Sequence, residues 1–234
     1  MMSKSRHQPM ESVVTSVNYG QMRMKILIVD DHPVVLDGLV LMLKELLNPA
    51  EILTAADGKR ACELVNEHRD VDWIFLDINL PDIDGIDLLR QFDKKKITAN
   101  TVVLSSSNDP GAIDKALKSN ASGFLSKSFV RSELRKCIDA VQSGRTYLNI
   151  ELQRELTSYR QCVLADRQYV ESIMTDKQMQ TLSLLAAGYS NREIAVSFEV
   201  TESTIKSRVK TLMTIFNADN RTHCVHEARR LGFV

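Results

Sequence analysis

Residues 25–29, Lys-Ile-Leu-Ile-Val, run straight into Asp30 and Asp31. Four consecutive branched or aliphatic residues in so short a run indicate a strand buried on both faces. That is the habit of a parallel sheet covered by helices. Open parallel sheets bind ligands in the crevice at the carboxyl ends of their strands, and the two carboxylates stand at such an end. Adjacent like charges repel, and a hard divalent cation with oxygen ligands, such as Mg2+, removes that conflict. A solvated loop pair is the alternative that this stretch alone leaves open.

The chain that follows alternates between two periods. Val34, Leu36, Leu39, Val40, Leu43 and Leu47 recur at helical spacing behind Pro33, which suits a first helical turn. A short strand is expected at 51–55, a helix at 59–68, a strand at 73–76 ending in Asp77, and a helix at 86–92. Between the last two, Leu80-Pro81-Asp82 and Asp84-Gly85 mark a loop. A fourth strand at 101–104 ends in Ser105, and Asp109-Pro110 opens the next helix. Phe124 and Leu125 lie in a short fifth strand ending near Lys127, before a helix at 132–141. Strands alternating with helices at this spacing indicate a doubly wound α/β domain with a five-stranded parallel sheet.

Taken together, the strand ends make a site. Asp30, Asp31, Asp77, Ser105 and Lys127 would open on one crevice. Two carboxylates can hold a metal, and Asp77, on another strand, can face both the metal and an incoming phosphoryl group. A carboxylate is a phosphoryl acceptor that forms an aspartyl phosphate. Mg2+ would neutralise developing charge, Lys127 would pair with a phosphate oxygen, and Ser105 could hydrogen-bond another.

The stretches LIVDDHP, IFLDINLPDIDG, VVLSSSN and GFLSK, in this order and at normal spacing, resemble the receiver domain of bacterial two-component response regulators over residues 24–145. The resemblance implies Asp77 as phosphoacceptor and Asp30 and Asp31 as metal carboxylates, with the main-chain carbonyl of Asn79 as a further ligand. It implies Ser105 and Phe124 as a switch pair and Lys127 as the phosphate-sensing lysine. Two departures stand out. Ser128 follows Lys127 where many relatives have proline or aspartate, and Phe124 replaces the commoner tyrosine, so it brings no hydroxyl.

Composition bounds the rest. Formal net charge is zero over 234 residues, but it is unevenly spread. Residues 25–127 carry 12 Lys/Arg against 17 Asp/Glu, and residues 174–234 carry 8 against 6. An acidic first part and a mildly basic end suggest different partners. The four cysteines show no paired spacing, so neither a zinc framework nor a disulfide scaffold is implied and a reducing compartment fits. No apolar stretch approaches the ~18 residues that cross a membrane. Residues 1–23 lack a signal-peptide core and are expected to be a disordered extension, with Met22 or Met24 as a candidate start. A cytoplasmic protein without a membrane partner is expected.

Residues 146–173 are expected to be a linker, helical over 151–159 and of open form beyond. In the last part, 174–234, Thr175 with Gln178 and Ser190 with Glu193 fit two capping boxes. Helices are expected at 176–187 and 191–198, with a third capped by Thr201 whose Ile205, Val209, Leu212 and Phe216 form one stripe. Two short helices and a tight turn suit a helix-turn-helix, whose second helix enters the DNA major groove. That helix carries Lys206, Ser207, Arg208 and Lys210, and no acid over 203–216. A solvated basic face on a helical bundle is the plainer alternative. The stretches AAGYSNREIA and TESTIKSRVKTLM resemble the LuxR-type helix-turn-helix of the NarL/FixJ subfamily. The resemblance implies base-edge or phosphate contacts at Lys206, Ser207 and Lys210. Arg208 stands where the family usually has histidine.

The whole is expected to be a phosphorylation-regulated transcription factor and not an enzyme. Its expected partners are a sensor histidine kinase or small phosphodonor, double-stranded DNA, and a second copy of itself; the resemblance suggests residues 221–231 as a dimer surface, with plain core packing of Val225 and Ala228 as the equal alternative. A phosphorylation-independent interaction module is the rival; loss of an acidic residue or of the lysine would favour it, and all are present.

Overall fold

The computed structural model describes residues 24–47 and 51–234, so the expected N-terminal extension lies outside the described residues. By its contacts the chain divides into two compact units, the first ending at Leu104 and the second beginning at Ser105.

The first unit holds β1 (Lys25–Val29), α1 (Pro33–Leu47), β2 (Glu51–Ala55), α2 (Gly58–Glu67), β3 (Trp73–Asp77), α3 (Gly85–Lys94) and most of β4 (Asn100–Ser105). β1 pairs in parallel with β2 on one side and β3 on the other, and β3 pairs in parallel with β4. Burial of Ile26, Leu27, Ile28 and Val29 is complete, and every residue of β3 is buried. This is why these strands are apolar throughout instead of alternating. The helices turn Leu39 and Leu43, then Ala61, Leu64 and Val65, then Ile86, Leu88, Leu89 and Phe92 inward.

With β5 (Gly123–Ser126) the sheet has the order β2-β1-β3-β4-β5. The chain leaves β1 in one direction and returns to β3 on its other side, so the topological switch lies between β1 and β3. Val29 and Leu76 are register partners there. Asp30 and Asp77 follow them on neighbouring strands, at the crevice where such sheets bind ligands.

The loop after β3 is folded back tightly. Asp82 accepts the main-chain N–H groups of Gly58 and Lys59 at 2.8 and 2.9 Å, which holds its carboxyl below the usual range and fixes the start of α2. The Asp84 side chain caps α3 through Ile86 N at 2.7 Å. Gly85 donates to the Ile78 carbonyl at 2.7 Å. A Cβ on Gly85 would stand 2.1 Å from the Asp77 carbonyl oxygen and 2.7 Å from Ile78 Cα.

The second unit continues with α4 (Pro110–Lys118), β5, a 3-10 turn (Lys127–Phe129), α5 (Val130–Gln142), α6 (Ile150–Ile173), α7 (Asp176–Ala186), α8 (Asn191–Ser197), α9 (Glu202–Ile215) and α10 (Arg221–Arg230). Tyr147 lies along β5: its N–H donates to Ser122 O, and Phe124 N–H donates to Tyr147 O, both at 3.0 Å. The Tyr147 hydroxyl donates to Glu133; burial together with that carboxylate raises the phenol pKa. Burial pushes the neighbouring Cys137 thiol up to about 12.

The stretch 160–172, of open form from the sequence, is helical. α6 is one unbroken helix of 24 residues, capped by the Asn149 side chain on Leu152 N at 2.9 Å. It contains no glycine or proline, and its inward stripe is Leu152, Leu156, Tyr159, Val163, Arg167 and Val170, spaced at three to four residues. Its first half packs on α4, where Arg160 Nε meets Asp114 Oδ1 at 2.7 Å and Lys118 meets the other oxygen at 2.7 Å. Its second half joins the C-terminal core: Val170 is buried there, Arg167 lies over the Phe233 ring at 5.5 Å, and Asp166 pairs with Arg230 at 3.1 Å. Both capping boxes are present, on α7 and α8, and Thr201 caps α9.

Two outcomes follow for stability. Gly85→Ala should cost about 1–3 kcal/mol by overpacking against main-chain atoms that cannot swing aside; a urea titration should show a lower midpoint with an unchanged slope. Burial alone would raise the Asp114 carboxyl, but Lys118 and Arg160 hold it below the usual carboxylate value. Its contribution is therefore complete above the unfolded-state pKa and lost as the pH falls through the lower folded value. Protection of residues 150–160 from hydrogen exchange, taken relative to the intrinsic rate at each pH, should fall in Asp114→Asn at neutral pH, and in the wild type only in acid.

Candidate metal centre and nucleic-acid interface

Asp30 is wholly buried and Asp77 is 1% exposed, an unusual depth for carboxylates. Asp31 is partly exposed. The His32 main-chain N–H donates to Asp30 Oδ1 at 2.9 Å. His32 Nδ1 lies 3.1 Å from that same oxygen and 2.8 Å from Asp31 Oδ1. One donor atom each from Asp30, Asp31, His32 and Asp77 falls within a sphere of mutual distances no larger than 4.8 Å. Asp31 Oδ1 is buried and accepts no hydrogen bond, whereas the His32 ring donates through Nδ1 to Asp30 Oδ1 at 3.1 Å.

Like charges 4 Å apart repel by roughly 4 kcal/mol at an effective dielectric of 20. Three carboxylates this close, two of them buried, form a set that a cation would hold together. An all-oxygen set of this kind fits a hard dication. So the structure brings together the three carboxylates that the sequence singles out, and adds His32, which sequence reasoning passed over. Its signal was available: it is the third polar residue in an unbroken run after a buried strand.

The other expected residues are placed as follows. Asn79 is exposed, two residues beyond Asp77, and bridges Asp84. Ser105 ends β4, is 2% exposed, and its Oγ accepts the Ser107 N–H at 3.0 Å. The Phe124 ring is completely buried within β5. Lys127 is half-buried at the start of the 3-10 turn.

In the C-terminal helices, Ile205, Val209, Leu212 and Phe216 are buried as one stripe. Lys206, Ser207 and Lys210 are exposed. Lys206 pairs with Glu202 one turn back at 3.0 Å. Arg208 differs: it is half-buried, with its guanidinium 5.6 Å from the centre of the Phe198 ring. At about 100° per residue, Lys206 and Arg208 point roughly 200° apart. Ser207 and Lys210 lie opposite the buried stripe, and Arg208 lies on its flank.

Two family profiles match the chain: the response regulator receiver domain over residues 26–139, and the bacterial regulatory proteins of the luxR family over 172–228. The nitrate/nitrite response regulator protein NarL of Escherichia coli K12 is 30% identical over 211 residues, covering 87% of this chain and 95% of that protein. The transcriptional regulatory protein DegU of Brevibacillus brevis is 28% identical, covering 91% and 95%. Among solved structures, RcsB from Salmonella enterica serovar Typhimurium, bound to promoter P1flhDC in the presence of the phosphomimetic BeF3-, shares the fold. It does so with a TM-score of 0.58 at 22% identity, covering 89% of this chain and 99% of that one.

On the α9 face, Lys210→Ala should lower the slope of log affinity against log salt by about 0.9 on any duplex. Arg208→Ala should instead cost roughly 0.5–1 kcal/mol of stability through the lost ring contact, read as a lower melting midpoint. Relaxed base preference with an unchanged midpoint would place Arg208 among the reading residues.

Proposed function

The chain belongs to the two-component response regulators of the NarL/FixJ subfamily, in which a receiver domain regulates a LuxR-type DNA-binding domain, and on that premise we propose how its own residues carry out the task. The receiver spans 24–145, a linker 146–173, and the DNA-binding domain 174–234. Asp77 accepts the phosphoryl group from the phosphohistidine of a sensor kinase, or from a small phosphodonor. The observation that carries this reading is the convergence of Asp30, Asp31 and Asp77 at the switch between β1 and β3.

A carboxylate oxygen of Asp77 attacks the phosphorus in line with the departing nitrogen. The P–N bond breaks as the P–O bond forms, giving an acyl phosphate, and the imidazole takes up a proton. Asp30, Asp31, Asp77 and the Asn79 carbonyl would hold Mg2+, which when bound screens the charge gathering on the transferring oxygens. Burial of Asp77 excludes bulk water from the nucleophile. Lys127 and Ser105 each engage a phosphoryl oxygen. The shift of Ser105 draws on the buried Phe124, whose main-chain N–H is bonded to Tyr147 at the head of the linker. With no hydroxyl on Phe124, the change is carried by ring packing and by that backbone bond.

The output is binding of double-stranded DNA by α9 as a homodimer, because one short helix makes few base contacts and two half-sites multiply affinity. Among the described residues no helix is long and apolar enough to cross a membrane, which supports a cytoplasmic setting.

The wild type should take up a hydroxylamine-labile phosphoryl group from phosphoramidate in Mg2+, seen by intact mass, and should then bind DNA more tightly. Asp77→Asn should show neither effect. Full incorporation in that variant, stable to hydroxylamine, would move the acceptor elsewhere.

A further inference from the structure

The tip of the loop between β3 and α3 is fastened to α2, although the whole of β3 lies between them in sequence. Asp82 accepts the N–H groups of Gly58 and Lys59, the first two of α2, at 2.8 and 2.9 Å. α2 has a cap of its own, since Asp57 accepts the Arg60 N–H at 2.7 Å. The Asp82 carboxylate is therefore an added anion at the positive end of the helix, where charge-assisted hydrogen bonds and the helix dipole act together. Gly58 permits the close approach: a Cβ there would meet the Ile83 side chain and stand 3.4 Å from Asp82 Oδ1.

This fastening acts on a segment that has little freedom left. At its base the loop is closed by the Gly85 N–H on the Ile78 carbonyl at 2.7 Å and by the bridge between Asn79 and Asp84. Only Leu80, Pro81 and Ile83 lie between these points and Asp82, and the proline ring fixes its own φ. The backbone of Asn79 is thus held from two sides, by its bridge and by Asp82 three residues on. That matters for a main-chain ligand in particular. A carboxylate can turn about its side-chain torsions to meet a cation, whereas a backbone carbonyl goes only where the loop puts it.

We propose that Asp82 is a positioning residue for the cation of the acidic crevice: by tying the β3–α3 loop to the start of α2, it places the main chain of Asn79 where its carbonyl serves as a ligand. The inference rests on the cation reading given above. It gives α2, which supplies none of the proposed ligands, a part in metal binding through the two N–H groups that hold the loop.

The test uses the full chain as wild type, Asp82→Ala, Asp82→Asn, Asp57→Ala and Asp31→Asn. Mn2+ binding is titrated by the electron paramagnetic resonance of the free ion, Mg2+ by its displacement of Mn2+, and the melting midpoint is read by circular dichroism. Asp82→Ala should weaken both ions by roughly tenfold, as removal of a residue that orients a metal ligand does. Asp82→Asn keeps one of the two acceptor oxygens and should fall between, and it carries the test if the alanine variant does not fold. Asp57→Ala removes the cap that α2 owns; it should lower the melting midpoint and leave both affinities at the wild-type value. Wild-type affinity in the Asp82 variants would overturn the proposal. So would an equal loss in Asp57→Ala, which would make the effect one of α2 stability alone. Asp31→Asn separates the two readings. If it binds both ions like the wild type, the cation reading fails and the inference with it; if it loses them while the Asp82 variants do not, only the positioning role falls.

Discussion

The structure depends on a repulsion. Asp30, Asp31 and Asp77 are held together where β1 and β3 diverge, and the core that buries them is the core that builds the sheet. Ile26 to Val29 and the whole of β3 have no exposed face on which a charge could be tolerated. The carboxylates must gather at the strand ends, and there they face one another. A site of this kind is locally unfavourable and globally enforced, the mark of a place kept for chemistry rather than for stability. Gly85 shows how tight the enforcement is, since even a methyl group on it would strike the main chain of Asp77.

The second unit is held together differently, by a chain of contacts that runs from β5 to the C-terminal helices. The Phe124 amide is bonded to Tyr147, Tyr147 to Glu133 of α5, and α6 begins three residues later. α6 is then anchored twice, by Arg160 on the buried Asp114 of α4 and by Val170, Arg167 and Asp166 in the C-terminal core. Charged side chains do much of this anchoring through their aliphatic stems and ring contacts. Such contacts can be exchanged at modest cost, unlike a core of leucines.

What the sequence made legible, and what it hid, follows from these two arrangements. The strands of the first unit were readable because burial on both faces leaves an unbroken apolar run. The helix-turn-helix was readable because its caps are local: Thr175 with Gln178 and Ser190 with Glu193 close on themselves. The second half of α6 was not readable, because its inward stripe includes Tyr159 and Arg167, which count as polar in any pattern search. Arg208 shows the same limit from the other side. As a basic residue beside Lys206 and Lys210 it reads only as charge, yet its guanidinium also lies 5.6 Å from the centre of the Phe198 ring, a contact no composition reports. His32 escaped for a third reason. The backbone bonds that aim it come from Asp30 and from the first turn of α1, and no spacing rule reports where a side chain is aimed.

The length of α6 finally bears on what a switch in this chain can do. A helix without glycine or proline, 24 residues long, extends about 36 Å at 1.5 Å per residue. Its hydrogen-bond ladder has no internal hinge, so loosening its seat on α4 displaces the helix as a body instead of bending it. The polar latch at Asp114 and the polar anchors at Asp166 and Arg167 are then alternatives in kind: each is an ion pair or ring contact worth far less than the packing around Val170 and Leu182. The end on α4 buries Leu152 and Leu156 and the end in the C-terminal core buries Val170, so both seats join apolar packing to their polar contacts. A change at either seat is therefore passed along α6 as a whole.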